Sequence, residues 1–199
     1  CVQWKQPNLP WDEAQLCFAS LKEMTLINQK VVKSKAESFF QPEWDDQGNL
    51  YVVSDRNNWW NLFRVDQSTN DMDLIPLTNI EAEIGLPQWV FGQSRYVFVG
   101  DEIWLAYREA GIDNLATLLP DGRLEKIEID ATEIESVTNY QDGIVATVSS
   151  WKAESLVTFV NRKEIRPLSK TRDLGIDENW FPVPETFTYQ TSDSEKAHA

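Results

Sequence analysis

Few residues in this 199-residue chain could carry hydrolytic chemistry. A serine nucleophile needs a Gly-x-Ser-x-Gly turn between a strand and a helix, with an Asp and a His to activate it. The nearest approach is Gly92-Gln93-Ser94-Arg95-Tyr96, which lacks the second glycine and precedes a predicted strand. The single histidine is His198, second from the end, where no core can hold it. A Ser or Cys nucleophile therefore has no base, and no catalytic residue is assigned.

The remaining candidates each have a plainer reading beside the chemical one. Asp45, Asp46 and Asp55 would suit acid–base work or a cation. Asp45-Asp46-Gln47-Gly48 lacks the alternating oxygen ligands of a calcium loop, so a tight turn followed by a strand-end side chain is the simpler expectation. Trp59-Trp60 could form a sugar platform or a substrate lip, or pack between neighbouring sheets. Cys1 and Cys17 do not make a disulfide framework. Each sits in an apolar run and reads as a reduced core filler, with a bridge between neighbouring strands as the alternative. No Cys/His cluster suits zinc and no glycine-rich loop suits phosphate, so neither metal nor cofactor is expected.

The segments around these residues read as strands. Phe40–Thr78 contains the apolar runs Leu50–Val53, Trp59–Val65 and Leu74–Leu77, separated by Asp45–Asn49, Asp55–Asn58 and Asp66–Asp71. Short β-branched and aromatic runs bounded by Asp, Asn and Gly predict antiparallel hairpins. Leu50–Val53 has no polar alternation, so both of its faces should be buried. With a strand at Gln41–Trp44 this makes a four-stranded meander, the size of one propeller blade.

The pattern repeats. Ser94–Val99, Glu102–Tyr107, Leu115–Leu119 and Leu124–Ile129 form one further unit, with turns at Gly100-Asp101, Ala110–Asp113 and Pro120-Asp121-Gly122. Glu135–Tyr140, Ile144–Ser149, Leu156–Val160 and Glu164–Leu168 form another, with Asp142-Gly143 as a hairpin signal. Cys1–Trp4, Leu16–Leu21 and Val31-Val32 suggest a blade lacking its first strand. Laying the second-to-third hairpins together superimposes Leu62, Leu115 and Leu156 at a period of about 40–50 residues. Those three leucines should be equivalent and buried. Only Asp12–Lys22 and Ile80–Gly85 are candidates for short helices.

The expected fold class is all-β, a partial, open β-propeller of four-stranded antiparallel blades. Residues 1–182 form the propeller, with an incomplete blade at 1–39 and blades at about 40–79, 80–130 and 131–172. Residues 183–199 form a connector. Too few blades are present to close a ring, so the end faces should expose apolar side chains, with Trp4 and Phe18 at one end and Trp151 and Phe159 at the other. Self-association is the expected consequence.

Composition narrows the partners. The chain is 42% hydrophobic with nine Trp, ample for a core. Lys and Arg number 18 against 32 Asp and Glu, a formal charge of −14. That charge disfavours nucleic-acid phosphates and anionic bilayers and suits a cytoplasmic setting. No apolar run approaches the ~18 residues needed for a membrane helix.

Two runs carry a family resemblance. QPEWDDQGNLYVVSDRNNWWNLFRVD and EAEIGLPQWVFGQSRYVFVG resemble the propeller of S9-family serine peptidases of the dipeptidyl aminopeptidase and acylaminoacyl peptidase type. The matching residues are Gly48, Ser54-Asp55-Arg56, Trp59-Trp60-Asn61-Leu62, Pro87–Gly92, Ser94, Tyr96 and Phe98. The resemblance covers nearly the whole chain. It implies a propeller piece excised from a longer peptidase, leading at 183–199 into an α/β-hydrolase domain that is its partner. The piece would cap the active site, limit access to short peptides and be inactive alone. Glu81 and Glu83 are similar to the paired glutamates with which some dipeptidyl peptidases hold a substrate amine, although the branch suggested here does not need them. The alternative is a stand-alone TolB-like propeller that binds a protein or carbohydrate.

Overall fold

The computed structural model describes residues 1–32, 36–69, 72–173 and 175–198. The end of the Asp66–Asp71 turn and Ala199 lie outside them. The chain builds successive antiparallel sheets in sequence order. The first holds β1 (Val2–Gln3), β2 (Gln15–Lys22) and β3 (Thr25–Val31) in the order β1-β2-β3. The second is the meander β4 (Phe39–Trp44), β5 (Leu50–Ser54), β6 (Asn61–Val65) and β7 (Leu74–Pro76). The third is β8 (Tyr96–Val99), β9 (Glu102–Glu109), β10 (Ile112–Leu118) and β11 (Leu124–Ile127). The fourth is β12 (Glu133–Tyr140), β13 (Gly143–Ser150), β14 (Ala153–Val160) and β15 (Ile165–Pro167). A two-stranded hairpin, β16 (Thr188–Gln190) and β17 (Lys196–His198), follows in the segment read as a connector.

Three apolar clusters join these sheets in pairs. Leu16 and Val32 of the first sheet meet Phe39, Leu50, Val52, Phe63 and Val65 of the second. Phe40, Val53 and Leu62, from the opposite face of the second sheet, meet Tyr96, Leu105, Ala116 and Leu118 of the third. Trp104, Ala106 and Leu115 then meet Ile134, Ile144, Ala146, Val148 and Val160 of the fourth. Adjacent residues such as Phe39 and Phe40 fall in different clusters because successive strand side chains point to opposite faces. Sheets stacked face to face in chain order, without closing, are an open propeller arc.

Bulges in the first strands tie the inner edges of the blades together. Gln41 sits at the β4–β5 bulge with φ 47°. Its side chain donates to Tyr96 O (2.7 Å) and Ser94 Oγ (3.1 Å) and accepts from Arg95 N (2.6 Å). Tyr96 OH returns a bond to Gln41 O (2.8 Å). The amide side chain thus bridges first strands that are too far apart to pair directly. Turn chemistry fixes the hairpins. Ala110 (φ 48°) and Gly111 (φ 82°) form the β9–β10 loop, two positive φ angles in a two-residue connection.

The structure corrects several expectations. Asp113, expected in a turn, belongs to β10 and pairs with Arg108. The turn at Asp142-Gly143 is Gln141-Asp142, with Gln141 at φ 53°. Gly143 starts β13, where a Cβ would lie 2.2 Å from Val160 O, so it is needed for close approach. The helix candidates fail: Gln15–Lys22 is a strand, and Ile80–Gly85 is a crossover with one bridge, Glu83 to Arg108. β3 was legible only at its end, because it is an exposed edge strand with no apolar face. Leu62 and Leu115 are buried third-strand residues, but Leu156 is not their equivalent. Leu62 O accepts from Leu77 N and Thr78 N, and Val157 O accepts from Leu168 N and Ser169 N. Thr78 Oγ1 and Ser169 Oγ in turn accept from Leu62 N and Val157 N. The fourth-blade counterpart is therefore Val157, displaced by the irregularity after Val148, and it is 43% exposed on the open face. Trp4 and Trp151 are exposed as expected. Phe159 is buried, covered by the Tyr140 ring (5.9 Å) and the Arg166 guanidinium (5.3 Å). Phe18 is half-buried against the first cluster and Trp44.

Candidate functional site

A cleft of about 710 Å³ opens at the end of the second blade where β5 leaves and β6 enters, lined by Glu37, Asp55, Arg56, Trp60, Asp73 and Glu83 among others. It holds four carboxylates and one guanidinium. Four chain segments contribute to it: the lead into β4, the β5–β6 loop, the end of the β6–β7 connection at Asp73 and the crossover after β7.

Three of the four acidic side chains, those of Glu37, Asp55 and Glu83, are held by specific donors. Glu37, only 3% exposed, takes Arg56 in a fork, with Nε at 3.0 Å from Oε2 and Nη2 at 2.9 Å from Oε1. Ser54 Oγ adds a third bond to Oε2 at 2.7 Å. Asp55 Oδ1 accepts Ser38 N at 2.7 Å. Glu83 Oε2 accepts Trp60 N at 2.8 Å. The Trp60 ring lies flat on Gly85, where a Cβ would come within 2.5 Å of its Cε3, and meets Phe40 edge-on at 6.3 Å. Asn61 anchors the crossover by donating to Ile80 O (2.9 Å) and accepting from Thr78 Oγ1 and Ile80 N.

The electrostatics follow from this arrangement. Burial pushes the Asp55 carboxyl up; the Ser38 N–H pulls it back in part, and the Glu37 charge pushes it up again. Burial also raises Glu83, against the Trp60 N–H, with the charge of Asp55 adding to the rise. Arg56 is engaged by Glu37, so Asp55 and Glu83 share a partly desolvated space without a cation of their own among the described residues. Two like charges in one recess disfavour ionisation, and an incoming cation relieves both.

The sequence candidates divide accordingly. Asp55, Trp60 and Glu83 come together. Asp45 stays at its own turn, where Oδ1 accepts Gln47 N (2.9 Å) and Asn49 N (2.8 Å) and Oδ2 accepts Tyr51 OH. Asp46, Glu81 and Trp59 do not line the cleft. Glu37 was not anticipated; its only sequence signal is the complementary Ser54-Asp55-Arg56 run. Ser94 has the partners of a structural residue, donating to Val137 O at 2.6 Å and accepting from Gln41 Nε2. Its neighbour Arg95 is buried in a salt bridge with Asp113. Cys1 and Cys17 are both free; Cys1 is exposed and Cys17 half-buried, so neither is a core filler. Among the described residues no group of three or more His, Cys, Asp or Glu side chains is placed to hold a metal ion, and no helix is long and apolar enough to cross a membrane.

The fold is that of a stretch of the propeller domain of S9-family peptidases. A puromycin hydrolase superimposes with a TM-score of 0.89 at 24% identity, over 99% of this chain and 30% of its own. A puromycin-hydrolyzing peptidase of Mycobacterium tuberculosis matches with a TM-score of 0.89 at 22% identity, over 99% of this chain and 30% of its own. Prolyl oligopeptidase B from Galerina marginata matches with a TM-score of 0.72 at 14% identity, over 95% and 27%. The chain thus spans less than a third of the length of these proteins. No protein-family model and no curated protein matches it.

Proposed function

We propose that this chain is the propeller part of a peptide-hydrolysing enzyme, and that its acidic cleft receives the amino end of short peptides. The observation that carries the reading is the surplus of carboxylates over cations, among the described residues, in a partly desolvated recess on a fold otherwise matched by peptidase propellers. A primary ammonium between Asp55 and Glu83 would gain charge-assisted hydrogen bonds from both, while the Trp60 face packs the neighbouring side chain. Chemistry would come from an α/β-hydrolase partner supplying the Ser, Asp and His, with the blades limiting entry to short peptides. The loop Trp89-Val90-Phe91 suits contact with such a partner. Phe91 is fully exposed, and Trp89, 74% exposed, is propped against Trp11 at 4.5 Å.

Two measurements test this function. Sequencing the coding DNA beyond codon 199 should reveal a Gly-x-Ser-x-Gly segment followed by Asp and His; an immediate stop codon would overturn the reading. The 199-residue chain should neither cleave dipeptidyl chromogenic substrates nor react with a serine-directed fluorophosphonate. Stoichiometric labelling at Ser94 would contradict it.

A further inference from the structure

The edge of the first blade brings the only two cysteines of the chain face to face. β1 pairs with β2 in the register Val2↔Leu16 and Gln3↔Gln15, and the next pair outward is Cys1 opposite Cys17. Their backbones exchange both hydrogen bonds, Cys17 N to Cys1 O at 2.8 Å and Cys1 N to Cys17 O at 2.6 Å. Directly opposed residues of this kind have Cα atoms about 5.5 Å apart and side chains on the same face. That separation falls inside the disulfide range of about 4.4–6.8 Å. The Cβ atoms of a hydrogen-bonded pair stand about 5.5 Å apart, beyond the about 3.5–4.5 Å of a bridge, so the exposed end of β1 must turn inward to close it and the bridge is strained. Both thiols are free, and neither is sealed in the core.

The geometry points to a modification site at this pair: a reversible cross-strand disulfide between Cys1 and Cys17, formed by exchange with a low-molecular-weight disulfide and stapling β1 to β2. This goes beyond the cleft and does not rest on it. The steps balance as two exchanges. The Cys1 thiol, the more exposed, loses its proton and attacks the small disulfide, giving a mixed disulfide and one small thiol. Cys17 then loses its proton and attacks the Cys1 sulfur, forming the protein disulfide and releasing the second small thiol. The protein gives up two electrons and two protons, and the small disulfide takes them up. Burial pushes the Cys17 thiol up, so less of it is thiolate and Cys1 reacts first; Cys17 attacks second, helped by a partner already held opposite it. An exposed bridge on an edge strand belongs to the labile class that a thiol pool can reduce again. The consequence is local, since β1 is two residues long and the bridge would fix one edge strand of the first sheet.

The test uses the chain in glutathione disulfide and glutathione mixtures, quenched with an alkylating agent and digested with trypsin without reduction. The expected product joins Cys1–Lys5 to Gln6–Lys22 through one disulfide, exceeding glutathione adducts at either cysteine at least about tenfold, as a high effective concentration requires. Repeating the reaction in guanidinium should lower that ratio, because the register is lost. The Cys17→Ser variant should show only an adduct at Cys1. Separate glutathione adducts on both peptides of the native chain, disulfide dimers between chains, or an equal ratio in guanidinium would each overturn the proposal.

Discussion

Two parts of the molecule bury carboxylates and treat them in opposite ways. At the joint between the third and fourth blades, Asp113 is fully enclosed between Arg95 and Arg108. Arg95 reaches its two oxygens at 2.8 and 3.0 Å, Arg108 Nε adds a bond at 2.9 Å, and Ile134 N one at 2.8 Å. Arg95 also donates to Ile84 O at 3.2 Å and to Ile134 O, so a single guanidinium touches the crossover, the third blade and the fourth. Burial alone would raise Asp113, but the hydrogen bonds and charge of Arg95, with those of Arg108, hold its carboxyl below the usual range. At the cleft, among the described residues, Glu37 has such a partner and Asp55 and Glu83 do not, and both of these are pushed up. The difference separates a permanently neutralised cluster, which is architecture, from one whose charge is left for something else to balance.

The largest expected effect breaks the paired side. Asp113→Ala strands a buried guanidinium and should cost about 3–5 kcal/mol in urea unfolding. Within the cleft, Arg56→Met should cost about 1–3 kcal/mol, because Glu37 stays buried with Ser54 as its remaining partner among the described residues. A loss as large as that at Asp113 would mean that the cleft is architecture too. Glu83→Gln keeps an acceptor for Trp60 N and removes one like charge, so stability should change by less than about 1 kcal/mol and in the stabilising direction.

Acid sharpens the same contrast. Asp113 is depressed in the fold, so its contribution is present above the unfolded-state value and is lost as pH falls through the folded one. Asp55 and Glu83 are raised, so their contribution is complete below the unfolded-state values and is lost as pH rises through the folded ones. Unfolding free energies across the acid range should therefore show opposite slopes. Asp113→Asn should flatten the acid loss, and Asp55→Asn with Glu83→Gln should deepen it.

The contrast also shows how much of the molecule its sequence discloses. Strands were legible where local chemistry decides: Leu50–Val53 is buried on nearly its whole length, and the blade period follows from the turns. The Leu62–Leu115 equivalence was visible too. It failed at Leu156 because one irregular pair beside Ser150 shifts the register, and a shift of one residue exchanges the faces. Asp55, Trp60 and Glu83 were each conspicuous, yet 23 residues separate Trp60 from Glu83, and only the fold of the crossover brings them together. Glu37 drew no reading from its sequence, and Asp113 read as part of a turn. Their burial depends on partners 19 and 18 positions away, which no local pattern marks.

The most direct test of the central claim is calorimetric titration of the chain with a dipeptide amide bearing a free α-amine, beside its N-acetylated twin. The amine should bind and the acetylated compound should not. Glu83→Gln should weaken binding about tenfold, near 1.4 kcal/mol. Affinity should also fall as Asp55 and Glu83 take up protons, starting above the ordinary carboxylate range because both are raised. Equal binding of the two compounds, or an affinity indifferent to Glu83→Gln, would contradict the account and leave the cleft without a cationic ligand.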